Sequence, residues 1–224
     1  MASAVKARFV IQNVENVSAL LMRPPEASCL LVLAHGAGAG MNHPFMESIA
    51  GELAAAGVAT FRYQFPYMER QRRVPDPPRV LMAAVRAAVS KAREMAPELP
   101  LLAGGKSLGG RMTSQAAAAQ PLDGVRGLVF FGFPLHPPGR PGTTRAGHLA
   151  RVNVPMLFLQ GTRDQFADLN LLRPIIEELR SKAALHVVDT ADHSFHVLKR
   201  SGRADSEVLQ ELAHVLASWA RTAF

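Results

Sequence analysis

The chain has 224 residues, of which 48% are hydrophobic and 19% charged, enough for one sizeable core and too apolar for a disordered chain. Its charge is basic, 25 Lys and Arg against 18 Asp and Glu for a net +7. No nucleic-acid-binding motif accompanies that charge, so an arginine-rich solvated surface is the expectation, with no nucleic-acid partner.

No apolar run approaches the roughly 18 residues of a membrane span. The opening "MASAVKARFVIQNVEN" has a base but no continuous apolar segment of the secretory type. Cys29 is the lone cysteine, set in the apolar run "SCLLVLAHG", and reads as a buried thiol without a disulfide. These features point to a cytoplasmic protein, and oligomeric state is not legible in them.

The elements follow in chain order. "RFVIQ" and "VSALLM" precede any helical pattern and predict an antiparallel hairpin at a sheet edge. "LLVLAHG" (30–36) is the first of six short runs that are apolar throughout. The others are "VATFRY" (58–63), "LPLLAGG" (99–105), "GLVFFGF" (127–133), "VPMLFLQG" (154–161) and "LHVVDT" (185–190). Without polar alternation, such runs read as strands buried on both faces of a parallel sheet. Helical periods lie between them. Phe45, Ile49, Leu53 and Ala56 share a face, as do Leu81, Val85, Ala88, Ala92 and Met95, and Val208, Leu212, Val215 and Trp219. Arg79, Arg86 and Arg93 recur every seven residues on the second of these helices, away from its apolar face and toward solvent. Strand and helix in alternation predict an α/β architecture, a mostly parallel doubly wound sheet flanked by helices in a single domain, 1–224. Two Pro-, Gly- and Arg-rich loops, 63–78 and 133–152, are too short for a cap domain but leave strand ends where α/β sites collect.

One stretch, "AGGKSLGG" (103–110), carries two readings. As the tail of a phosphate-binding loop, Gly105-Lys106-Ser107 requires glycine at position 100, where Pro100 stands. As a nucleophile elbow, Gly105-x-Ser107-x-Gly109 requires a strand before it and a helix after it. "PLLAG" and "RMTSQAAAA" supply both, so Ser107 is the candidate nucleophile and Lys106 only the motif's variable residue.

A serine hydroxyl needs a base, an acid to orient that base, and donors for the oxyanion. Asp164 follows the strand ending at Gly161 and is the candidate acid, with Asp168 as competitor nearer a helix start. His193, just past "LHVVDT", is the candidate base, with His196 two residues after Ser194 as the alternative. A His193-x-x-His196 pair lacks the H-E-x-x-H pattern and a third ligand, so no metal is expected. His35 reads as structural. The glycine-rich run 36–40 follows the first buried strand and lets backbone amides approach a ligand. Counted from Gly36 or Gly38, the sixth position is Met41 or His43, so the dinucleotide fingerprint fails and no cofactor is expected. Leu108, the residue after the nucleophile, opens the next helix and offers one oxyanion N–H.

The order Ser107, Asp164, His193 with this elbow resembles the α/β-hydrolase superfamily, and within it the small capless dienelactone-hydrolase-like branch, from about residue 17 onward. The resemblance implies Ser107 as nucleophile, Asp164 as acid, His193 as base, and Ala37 and Leu108 as the oxyanion amides. It implies a serine esterase acting on a small-molecule ester. Dienelactone hydrolases use cysteine where this chain has Ser107, so their substrate does not carry over. "FRYQFPYMERQRRVPDPP" and "GGKSLGGRM" look like a branch that includes a subunit of a nuclear acetyltransferase complex, which leaves a silent scaffold as the alternative. Arg70, Arg72, Arg73 and Arg140 lie on the two loops and suggest a carboxylate- or phosphate-bearing substrate. Tyr63, Phe65, Tyr67 and Phe133 read either as an apolar wall of the site or as core, and Arg73, Tyr67 and Phe133 stand as the substrate-binding candidates.

Overall fold

Among the described residues eight strands form one sheet, in the order β1-β2-β4-β3-β5-β6-β7-β8. The computed structural model describes residues 3–11 and 15–223. β1 (Ala4–Ile11) and β2 (Glu15–Met22) form the antiparallel edge hairpin, with Ala4 opposite Met22 and Ile11 opposite Glu15. Gln12, the expected end of the first strand, lies outside the described residues. β2 joins β4 (Val58–Tyr63) antiparallel, and from β4 onward every pairing is parallel.

Five of the six apolar runs lie deep in the sheet. β3 (Cys29–Ala34), β4, β5 (Leu101–Lys106) and β7 (Met156–Gly161) are buried at every position, and β6 (Val125–Phe131) at all but Arg126. β8 (Ala183–Val188) departs from expectation. It is the far edge strand, and only Val188 is fully buried. An all-apolar run marks a strand covered on both faces, whereas β8, at the sheet edge, is only half covered and its "LHVV" is apolar enough to mimic a buried one.

The chain passes from β3 to β4 on one side, then crosses back to β5 on the other, so β3 and β5 flank the switch point of the sheet. Helices therefore divide between faces. α1 (Pro44–Ala55) and α6 (Asp205–Ala223) cover one, and α3 (Pro78–Met95), α4 (Leu108–Ala119) and α5 (Leu169–Leu179) the other. The expected helix faces are buried on α1 through Ile49 and Leu53, and on α3 through Leu81, Val85, Ala88 and Ala92. On α6 the buried stripe is Val208, Leu212, Ala213, Leu216, Ala217 and Ala220, with Val215 and Trp219 at its margin. Small alanines hold the centre because they let the helix approach the sheet.

Arg86 was expected in solvent. Instead its guanidinium reaches across to the end of α4 and donates to the carbonyls of Ala116 (2.6 Å), Gln120 (2.9 Å) and Pro121 (3.2 Å). The Gln120 and Pro121 carbonyls lie past the last residue of α4, and a planar cation answers them together with the Ala116 carbonyl. Cys29 is a free, buried thiol whose pKa burial pushes up. The 132–155 connection between β6 and β7 carries two short 3-10 turns, Thr144–Ala146 and Leu149–Arg151, and packs down against α4 rather than rising into a cap. Among the described residues no helix is long and apolar enough to cross a membrane.

Candidate active site

β5 lies between β3 and β6, and its carboxyl end delivers Ser107 directly before α4. Ser107 adopts φ 49° and ψ −113°, a backbone region costly to a residue with a Cβ. The conformation is held from both sides: the Ser107 amide donates to the Phe131 carbonyl at 3.1 Å, and the turn is pressed against the exit of β3. A Cβ on Gly105 would lie 2.3 Å from the Ala34 carbonyl oxygen, and one on Gly109 2.5 Å from the same atom. Glycine at both positions is what allows so sharp a strand-turn-helix.

Asp164 follows β7 and is buried, its side chain 0% exposed. Its Oδ1 accepts from the Phe166 amide at 2.8 Å, and its Oδ2 from Gln160 Nε2 and from His193 Nδ1, the latter at 2.7 Å. An ionised carboxylate only accepts, so the proton of the neutral imidazole sits on Nδ1. His193 Nε2 is then a lone pair, aimed at Ser107 Oγ 2.9 Å away. The base rides a tight turn: Asp192 Oδ1 accepts from the amides of Ser194 (2.8 Å) and His196 (3.0 Å), and Phe195 takes φ 65°. Two backbone bonds, Thr162 to Val188 (3.0 Å) and Arg163 to Ala191 (2.9 Å), fasten the acid's loop to the base's loop. Phe166 lies over the imidazole with ring centroids 4.3 Å apart.

The competitors take other work. Asp168 caps α5, accepting from the Asn170 amide at 2.8 Å. His196 faces Asp205 at 2.6 Å, and that bond raises its pKa. The two histidines of the H-x-x-H pair thus face different carboxylates.

The glycine-rich loop is braced from beneath. His35 is fully buried, and its Nε2 accepts from the Phe65 amide at 3.1 Å, so Nδ1 donates to the Gly36 carbonyl at 2.7 Å. Burial lowers the His35 pKa to about 4, keeping it neutral in this role. The Gly38 amide donates to Tyr67 Oη at 3.1 Å and the Met41 amide to Gln64 Oε1 at 2.8 Å. Above this support Ala37 is exposed and lines the cavity beside Ser107. Leu108 is the first residue of α4, where N–H groups lack an intrahelical acceptor.

The cavity holds about 1000 Å³ and runs from Gly36 and Ser107 between the start of α1 and the start of α6. Its apolar walls are Phe45, Met46, Phe166, Phe195 and Leu209. None of the three substrate-binding candidates, Arg73, Tyr67 and Phe133, lines it. Tyr67 and Phe133 are fully buried in the core cluster on the face covered by α3, α4 and α5, and neither lines the cavity. Arg73 is exposed and lies outside it. Arg70 and Arg72 turn to Glu15 and Asp76, and Arg140 lies outside the cavity as well. The 63–78 loop contains a short helix, α2 (Pro66–Glu69), and its Arg70 and Arg72 are engaged by carboxylates of β2 and of the loop itself.

A family model described as an alpha/beta hydrolase domain matches residues 27–221. The chain belongs to the α/β-hydrolase family. Its fold is close to that of dienelactone hydrolase from Anabaena variabilis (TM-score 0.74, 22% identity, 95% of each chain covered). It is also close to a lidless α/β serine hydrolase from Xanthomonas campestris (TM-score 0.74, 20% identity, 97% of this chain and 95% of that one). A third likeness is the esterase domain of a Rhodothermus marinus protein (TM-score 0.73, 18% identity, 98% of each). Family and fold together support a hydrolase of the capless kind.

Within that α/β hydrolase, four residues beside the site carried no sequence signal of their own: Gln160, Phe166, Phe195 and Lys106. Gln160 hides inside an all-apolar strand, where one buried amide with a carboxylate four residues on is the only hint. Lys106 was dismissed as the motif's variable residue, yet it is 9% exposed and lines the cavity next to Ser107.

Proposed function

We propose that this chain is a serine hydrolase that cleaves carboxylic esters or related acyl compounds through an acyl-enzyme on Ser107. The observation that carries the reading is the unbroken hydrogen-bonded row Asp164–His193–Ser107, at 2.7 and 2.9 Å, opening into an apolar cavity. His193 Nε2 takes the Ser107 proton as Oγ attacks the carbonyl carbon. Asp164 keeps the proton on Nδ1 and stabilises the imidazolium that forms. The amides of Ala37 and Leu108 receive the developing oxyanion. The alkoxide leaves with a proton from His193. Water, deprotonated by the same imidazole, then attacks the acyl-Ser107 carbonyl and releases the acid.

The cavity supports a small-molecule ester whose apolar part rests on Phe45, Phe195 and Leu209. No step requires a cofactor. A scaffold without turnover would leave the strained Ser107 backbone without a use.

The test is labelling with a fluorophosphonate probe, followed by a panel of small esters. Wild type should label and Ser107→Ala should not. Equal labelling of the two chains, or a folded wild type that does not label, would sink the proposal.

A further inference from the structure

Lys106 has no part in the chemistry just described, and its burial calls for a reason. Moving an ammonium out of water is costly unless it is well partnered. An apolar side chain would fill the same space without that cost. The Lys106 Nζ donates to the main-chain carbonyl of His193 and sits over the rings of Phe45 and Phe195, at 5.7 and 5.5 Å from their centroids. The third neighbour is Asp164. A Cβ built on Gly132 would meet Lys106 Nζ at 3.0 Å, Asp164 Oδ2 at 3.3 Å and His193 Cε1 at 3.3 Å, so the three groups converge over a glycine that leaves them room.

His193 itself stands on an irregular segment beyond an edge strand. We propose that Lys106 is a positioning residue, which fixes the His193 segment onto the same turn that presents Ser107. Nucleophile and base are then set by adjacent residues of one strand end, and their separation is insulated from motion of the β8 edge. A charge-assisted bond to a carbonyl and two ring faces suit this use. The groups that face the ammonium are the carboxylates of Asp164 and Asp192 and the His193 ring, with α1 contributing only the Phe45 ring. Burial lowers the Lys106 pKa to about 8 against the pull of both carboxylates. Above that pH the neutral amine holds the carbonyl less firmly.

The inference rests on the serine-hydrolase reading for its kinetic consequence but not for its structural one, so two measurements are made. The first is the second-order rate of fluorophosphonate labelling from about pH 6 to 10. Wild type should decline above about pH 8. Lys106→Met should label about tenfold more slowly, because a small displacement of the base is costly. Lys106→Arg keeps a charge that does not titrate, and should recover the rate without the decline. The second is amide hydrogen exchange across 192–196, which needs no activity and should quicken in Lys106→Met and return with Lys106→Arg. A folded Lys106→Met that labels at the wild-type rate with the wild-type pH profile overturns the proposal, and so does unchanged exchange. If wild type does not label at all, the hydrolase reading fails, and exchange alone decides for or against the clamp.

Discussion

Asp164 receives three hydrogen bonds on two oxygens and its side chain has no exposed surface, so its carboxylate cannot turn away without leaving a donor unanswered. That rigidity sets the imidazole's tautomer. Asp164→Asn preserves the shape but removes the charge, and its NH2 group must oppose a donor wherever it points. We expect kcat to fall on the order of 10³- to 10⁴-fold in a chain that still folds, with the melting temperature lowered by a few degrees for the unanswered donor, as read by ester turnover and thermal unfolding. A loss under tenfold would show that the imidazole is oriented by something else. At this scale the placement of the three candidates was legible because each follows a strand end, Ser107 and Asp164 behind strands buried throughout and His193 behind the half-buried edge strand β8, and the sheet fixes where strand ends go. It was not legible for Arg73, Tyr67 and Phe133. Those residues lie in the connections after β4 and β6, Tyr67 within the short helix α2, and the direction of such connections depends on tertiary contacts, as the Arg70 and Arg72 pairs with Asp76 illustrate for the first.

Between elements, the close approach of loops carries as much information as the strands. A Cβ on Gly161 would lie 2.2 Å from the Ala191 carbonyl oxygen, a backbone atom that cannot swing aside. Gly161 ends the acid's strand and Ala191 precedes the base by two residues, so this contact sets the spacing of the two loops. Gly161→Ala should therefore cost about 1–3 kcal/mol, visible as a lowered urea midpoint. It should also reduce kcat/KM by more than that stability loss explains at temperatures where the chain is folded, because the clash moves His193 away from Asp164. Wild-type activity in a destabilised variant would mean that the loops adjust independently. Glycine marked the elbow in the sequence because a motif frames it. Gly161 is framed by nothing but a strand end, and its need for a missing Cβ appears only once β8 and its loop are packed beside it. The same reason hid Arg86, whose three carbonyl partners lie in and just past the last turn of α4, some thirty residues on.

For the whole molecule, the layered α/β order was legible because each buried strand and each amphipathic helix states its own burial. The balance of stability with pH was not, because it depends on which imidazoles the packed layers enclose, His35 the most deeply buried of them. His35 is fully buried, joins β3 to the β4–α2 connection through Phe65, and has its pKa lowered by burial from 6.5 to about 4. The unfolded chain takes up a proton on this residue as pH falls through 6.5, while the folded chain refuses it until about 4. The unfolded state then binds more protons, so folding stability is full above 6.5 and is lost as pH drops toward 4. At pH 5 the loss from this residue is about 2 kcal/mol. His148, also lowered to about 4 chiefly by burial, acts in the same direction. Urea unfolding at about pH 7.5 and pH 5 should show the drop, above the range in which ordinary carboxylates titrate. In His35→Gln the chain should be weaker at the higher pH, since Gln cannot serve both the Phe65 amide and the Gly36 carbonyl in the same geometry. Its further loss on going to pH 5 should nevertheless be smaller than wild type's. If both chains lose the same amount, the acid sensitivity of this fold lies elsewhere than in the imidazole beneath its glycine-rich loop.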